Sequence, residues 1–175
     1  FLRAVDVRID GFRVERAPEW RGQRVFVRHE VGGKAYELRL SEESAGTQKL
    51  MGLAAYLMTA LERGGTVVVD ELDAKLHPKL LRYVILLFKD PEVNKSGAQL
   101  IFSSQDVSTM RNDVFRRDEI WFAARGEGEA SQLWSLADIH EANGNLVSKN
   151  AAFDKQYLSG RYGADPYLTR IEEWD

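Results

Sequence analysis

Residues 66–71 read Thr-Val-Val-Val-Asp-Glu, and the chain runs on as Leu-Asp-Ala-Lys-Leu-His-Pro-Lys to position 79. The short, unbroken β-branched run at 66–69 predicts a strand covered on both faces, the kind found in parallel sheets. Two adjacent carboxylates, Asp70 and Glu71, follow it directly. Charges at the end of a buried strand are costly without a partner. The carboxyl ends of strands in open α/β sheets are also where ligands bind. Mg²⁺ with a phosphate is the natural partner, since Mg²⁺ takes one or two carboxylates and fills its shell with water and phosphate oxygens. On this reading Asp70 holds the metal through water. Glu71, one residue further out, polarises a water for attack on a γ-phosphate. The plain structural alternative is a solvated strand-to-loop junction.

Working outward, Pro78 suits the first turn of a helix that turns Leu81, Val84, Ile85 and Phe88 inward. Upstream, Leu50, Leu53, Ala54, Leu57, Met58 and Leu61 recur at helical spacing, and Gly64-Gly65 ends that helix. Residues 1–40 read as β. Val5, Val7 and Ile9 alternate with polar residues, and Gly11 permits a bend. Residues 24–31 and 35–40 are strand-like across Gly32-Gly33, which supply the positive φ angles of a tight hairpin. Downstream, residues 99–104 predict another buried strand. Residues 119–124 and 131–136 predict two more across a Gly-containing turn at 125–130. Residues 149–159 read as helical, with Gly160 as the stop. Buried strands alternating with helices predict an α/β fold with a largely parallel sheet flanked by helices, led by an antiparallel hairpin. No linker interrupts residues 1–175, so the reading is a single domain.

Two further polar stretches stand at element ends. Ser44-Ala45-Gly46-Thr47-Gln48 opens a helix, where free N–H groups and the helix dipole attract anions. Gly46 removes a side chain where a phosphate would approach, and the two hydroxyls add donors. The plain alternative is an N-terminal cap, with Ser44 bonding the first turn. Ser103-Ser104-Gln105-Asp106 follows the next strand and either reports on the same phosphate or forms a simple turn.

Composition narrows the field. With 44% hydrophobic and 29% charged residues, the chain is an ordinary globular sequence. Twenty-four basic against 27 acidic residues give a net charge of −3, which does not indicate a strongly basic nucleic-acid binder. The absence of cysteine excludes disulfides, cysteine-ligated zinc and thiol nucleophiles. Three scattered histidines argue against a His-rich metal site. No apolar run approaches the roughly 20 residues of a membrane span, and no signal peptide opens the chain, so the expected place is the cytoplasm, off the membrane.

Taken in order, these pieces resemble ABC-type ATPases. Residues 41–50 are similar to the signature motif. Residues 67–79 are similar to a Walker B motif running into the D-loop, and residues 99–106 to the switch segment. The closer resemblance is to the AAA/OLD-like group of prokaryotic ATP-binding proteins, RecF- and SMC-related ATPases of phage-defence and abortive-infection systems. Their C-terminal halves also carry a hairpin before the signature and a late segment similar to residues 157–164. The resemblance covers residues 1–168, and its strength lies in four weak motifs standing in the right order.

The resemblance implies a P-loop-type fold with ATP and Mg²⁺ as cofactors. Asp70 would be the magnesium carboxylate and Glu71 the general base. Ser44, Gly46 and Thr47 would meet the γ-phosphate of a nucleotide held mainly by a second subunit, and Asp73 would lie at the dimer interface. His77-Pro78 would start the following helix. Two departures stand out. The switch position usually held by histidine is Gln105, which hydrogen-bonds but carries no proton at neutral pH. There is also no Walker A loop: the only Gly-Lys pair is Gly33-Lys34, followed by Ala35 in a hairpin turn, with Arg28 where the pattern needs glycine.

The chain is therefore expected to be the signature-bearing C-terminal half of such an ATPase, an expectation that its start at Phe1 matches. Its partner would be a Walker A-bearing N-terminal half or a second copy, as a homo-oligomer, with a nuclease or toxin effector possible. Nucleic acid fits the group but not the charge, since Arg111, Arg116 and Arg117 form only a small cluster that a solvated helix face explains. Two rival readings remain. One is a magnesium-dependent Toprim-like nuclease using Asp70, Glu71, Asp73 and Asp106. The other is a dimerisation or clamp module without hydrolysis.

Overall fold

The computed structural model describes residues 9–16, 23–125 and 130–164. The expected strand positions Val5 and Val7, and most of the turn at 125–130, lie outside the described residues. The chain divides into two compact units, Phe1–Gln105 and Asp106–Asp175.

The first unit opens with three antiparallel strands, β1 (Ile9–Arg16), β2 (Gln23–Val31) and β3 (Lys34–Arg39), in that spatial order. The expected bend at Gly11 is present as a register irregularity between Ile9 and Gly11. Gly32 and Gly33, at φ 58° and 74°, make the β2–β3 turn that the sequence requires. Pairing of Phe12 with Val27 and of Val27 with Leu38 puts apolar residues on one face. The opposite face is held by charge. Arg13 donates to Glu37 at 2.9 Å and lies 4.4 Å over the Phe26 ring, while Arg28 pairs with Asp10 at 2.7 Å. These pairs are exposed, and the Arg13 hydrogen bond lowers the Glu37 pKa below its ordinary value.

Helix α1 (Ala45–Arg63) buries Leu50, Leu57, Ala60 and Leu61 at the predicted spacing. It ends at Gly64 with φ 81°, where a Cβ would also sit 2.8 Å from the Ser96 carbonyl. β4 (Thr66–Val69) pairs in parallel with β5 (Gln99–Phe102), and α2 (Pro78–Lys89) lies between them in sequence. Val67 packs with Ala60, Leu61, Leu87, Phe88 and Ala98.

Among the described residues the parallel sheet is small, the single pair β4–β5, and the other two sheets are antiparallel. The expected coverage of β4 and β5 on both faces needs correction: Val68 and Ile101, side by side in the register, are 73% and 56% exposed. Side chains alternate between faces along a strand. The helices cover the Val67 and Val69 side, and no described element covers the other.

In the second unit β6 (Trp121–Arg125) and β7 (Ser131–Ser135) form an antiparallel hairpin. A connection this short cannot make the long crossover that parallel strands need. Leu136 and Phe153 are fully buried with Ile120, Phe122, Val147 and Tyr162. The predicted helix is shorter than its pattern. Helix α3 spans only Phe153–Leu158, because Ser148 turns the preceding residues by accepting from the Asn150 and Ala151 amides. Gly160, at φ 74°, follows it as expected. Residues 157–164 serve packing: Tyr157 stacks on Phe122 at 5.7 Å, and Tyr162 meets the same ring at 5.3 Å. The three arginines do not share a helix face. Arg111 pairs with Asp113, Arg116 with Asp118 and Glu119, and the Arg117 guanidinium donates to the Val147 carbonyl.

Candidate functional site

Three segments far apart in sequence meet at the carboxyl end of β4 and β5. They are the start of α1, the turn at 70–76 and the segment at 103–105. The pairing that makes the small sheet continues past the strands and ties two of them together. The Ser103 amide donates to the Val69 carbonyl at 3.1 Å, and the Leu72 amide donates to the Ser103 carbonyl at 3.0 Å.

The Ser103 hydroxyl lies at the centre of this junction. It donates to Asp70 Oδ1 and accepts from the Glu71 amide at 2.8 Å. One oxygen thus orients both the carboxylate and the backbone of the next residue. Glu71 has φ 49°, a left-handed conformation uncommon for a non-glycine residue. Its carbonyl accepts from the Lys49 ammonium of α1. Asp70 and Glu71 are both exposed, so their carboxylates face solvent at the strand end.

Asp73 turns toward the neighbouring segment. Its Oδ2 accepts from the Gln105 amide at 3.3 Å, and its Oδ1 is buried with no hydrogen-bond partner among the described residues. Gln105 therefore meets Asp73 through its backbone, and its exposed side chain is not what joins the two segments.

At the start of α1, Ser44 is a helix cap: its Oγ accepts from the Thr47 amide at 3.1 Å. The Ser44 and Thr47 hydroxyls also bond each other at 2.9 Å, and Thr47 is buried. Gly46 has a local requirement of its own. A Cβ there would lie 2.8 Å from the Lys75 carbonyl, closer than real Cβ contacts come. Lys75 is itself left-handed, at φ 66°. His77 proves to be the cap of α2, its Nδ1 accepting from the Lys79 amide at 3.2 Å. Just before the α1 cap, Glu43 Oε1 meets His29 Nε2 of β2 at 2.6 Å in a largely buried pair.

The structure brings Asp70, Glu71, Asp73 and Gln105 together at the carboxyl end of β4 and β5, and it sets Ser44, Gly46 and Thr47 at one helix end. Sequence reading missed Lys49 and the His29–Glu43 pair, whose partners are distant along the chain and share no motif with them. It also undervalued Ser103, whose signal was only its place after a strand. Gly33-Lys34 sits in the β2–β3 turn, away from any helix start.

Residues 3–111 match the family of AAA domains described as AbiEii toxin-like, of type IV toxin–antitoxin systems. That match spans more than half of the chain. The chain belongs to this AAA family. The matched stretch carries α1, β4, α2, β5 and every segment of the junction described above. No curated protein matches the domain. Among solved structures, one described as "Structural biochemistry of ATP-driven dimerization and DNA stimulated activation of SMC ATPases" is similar over 71% of this chain and 72% of that chain, with a TM-score of 0.48 and 16% identity.

The metal-nuclease alternative requires several acidic groups to share one ion. Among the described residues of this AAA domain, no group of three or more His, Asp or Glu side chains is so placed. Asp106 accepts instead from the amide and hydroxyl of Ser108, capping the turn that follows it. No helix among the described residues is long and apolar enough to cross a membrane.

Proposed function

We propose that this AAA domain binds and hydrolyses ATP as part of an ABC/SMC-like ATPase, with nucleotide sandwiched between two subunits so that binding closes a dimer and hydrolysis reopens it. The reading rests most on one observation: the Ser103 hydroxyl joins the Asp70 carboxylate to the Glu71 backbone at the end of β4. A carboxylate and the backbone of the next acidic residue held by one hydroxyl at a strand end, in a chain of an AAA family, suit a metal ligand and a base.

Asp70 is exposed, and only one of its oxygens is engaged by Ser103. One carboxylate with water and phosphate oxygens is an ordinary set for Mg²⁺, so the residues fit it. Asp70 would hold Mg²⁺, which when bound would supply neutralisation of the phosphate charge. Glu71, projecting past the strand into solvent, would accept the proton of an attacking water. The first turn of α1 would meet the nucleotide phosphates with its amides and dipole. The Ser44 and Thr47 hydroxyls, now bonded to each other, would contribute by rotating toward the phosphate. Asp73 would lie at the subunit interface, with its backbone link to Gln105 carrying the state of one segment to the other. The phosphate-cradling loop with its lysine would come from another segment or chain, and the setting would be phage defence or a DNA-associated process.

The test is Glu71→Gln in the full-length protein. The amide keeps the size and the hydrogen-bonding edge but cannot take a proton. ATP binding, followed by a fluorescent analogue, should be unchanged, while phosphate release falls by about 100-fold or more, the range of general-base catalysis. Turnover at the wild-type rate would remove Glu71 from its role.

A further inference from the structure

We infer that Lys49 is a positioning residue that aims Glu71, and that it makes the start of α1 and the base a single mechanical unit. The inference rests on Glu71 being the base, and it gives a role to a residue of the signature-like segment 41–50 that the resemblance left without one.

Glu71 is held at both backbone polar groups by side chains from other elements. Its amide donates to Ser103 Oγ at 2.8 Å, and its carbonyl accepts from Lys49 Nζ as well as from the Ala74 amide, at 3.1 Å, which closes the local turn. Under these two side-chain restraints and the turn bond the residue adopts φ 49°. A left-handed glutamate persists only where its surroundings over-determine it. With either side-chain restraint released, the turn bond from Ala74 is left to hold a strained left-handed residue, and the carboxylate loses its fixed aim. Lys49 also lies one helical turn from Gly46, whose α-carbon packs against the Lys75 carbonyl at the other end of the same turn. Residues 70–76 are thus gripped at two points by the first turns of α1. The second point is also a left-handed, non-glycine residue, Lys75 at φ 66°. A shift of the helix start, such as a phosphate docking on it would produce, moves the carbonyl on which the aim of Glu71 depends.

The experiment compares Lys49→Met, Lys49→Arg and Glu71→Gln in the full-length protein. Methionine keeps the chain length and helix propensity but donates no hydrogen bond, whereas arginine restores a donor. Lys49→Met should lower kcat by at least about tenfold, since a misplacement of about 1 Å near the chemistry costs on the order of 100-fold. KM for ATP and the thermal midpoint should stay at their wild-type values, and Lys49→Arg should recover most of kcat. Ser103→Ala, which removes the other restraint, should reproduce the kcat loss and guards against a fold defect peculiar to position 49. If Lys49→Met turns over normally while Glu71→Gln is dead, the positioning role falls and the base reading stands. A kcat loss that arginine does not recover, or an equal loss of ATP affinity, also overturns it. Turnover by Glu71→Gln would overturn the base assignment and this inference together.

Discussion

Gly46 offers a prediction that separates packing from phosphate chemistry within one helix. α1 contains two glycines, Gly46 and Gly52, and neither has a positive φ. Alanine in a helix interior is better than glycine by about 1 kcal/mol, a gain that applies in full at position 52 and at most to that extent at position 46, in the first turn. Their surroundings differ. A Cβ at position 52 meets nothing within 4 Å, whereas at position 46 it would sit 2.8 Å from the Lys75 carbonyl. That carbonyl is backbone, held in a left-handed turn, and cannot swing aside as a flexible side chain would. Forcing it back should cost about 1–3 kcal/mol, the usual range for overpacking. Gly52→Ala should therefore stabilise by about 1 kcal/mol, and Gly46→Ala should come out neutral to about 2 kcal/mol destabilising. The comparison is made by urea denaturation followed by circular dichroism, with the slope checked for constancy. At this chain length, 1 kcal/mol corresponds to a midpoint shift of about 2–4 °C in a parallel thermal scan. If Gly46→Ala stabilises as much as Gly52→Ala, the close approach of α1 to the 70–76 turn is wrong, and the grip of α1 on that turn loses its second point of contact.

Two further outcomes follow from pairs outside the proposed chemistry. His29→Ala and Glu43→Ala should each destabilise by about 1–3 kcal/mol, because each removes a 2.6 Å hydrogen bond between largely buried side chains. A double-mutant cycle measured by denaturation should return a coupling of at least about 0.5 kcal/mol, and additive effects would deny the contact. The second concerns Tyr162, whose pKa burial raises from 10.0 to about 12. The folded form therefore keeps its phenolic proton more tightly than the unfolded form does. The resulting stability is fully present below pH 10, and it is lost as pH rises through about 12. Tyr162→Phe keeps the ring against Phe122 but drops the hydroxyl bonded to Gln156 at 2.6 Å. Its alkaline unfolding curve should be flatter than wild type over that window, and parallel curves would contradict the burial.

Much of the framework is legible along the chain because it depends on neighbours in sequence. The α1 stripe, the Gly32-Gly33 turn, the Pro78 start of α2 and the stop at Gly64 each follow from side-chain period or backbone freedom within a few residues. The burial of β4 was misread for a physical reason. An apolar run shows that a strand can be covered on both faces, but coverage depends on which elements arrive, and here Val68 and Ile101 stay exposed. The parallel sheet was likewise overestimated, because β6 and β7 are as strand-like as β4 and β5. Only the length of their connection, and not their own composition, makes them antiparallel.

At the candidate site the division is sharper. The sequence by itself determined which groups are available: two carboxylates after a short strand, hydroxyls and a glycine at a helix start, and serines after a second strand. Residue type and order are local facts, and they carried the family resemblance. Only the tertiary structure decided how these groups act on one another. It put the Ser103 hydroxyl between Asp70 and Glu71, joined Asp73 to the Gln105 backbone, and brought Lys49 to the Glu71 carbonyl across 22 residues. Such contacts have no period and no propensity. They arise when strand register and helix packing bring distant residues within hydrogen-bonding range, and that closeness is a property of the fold as a whole.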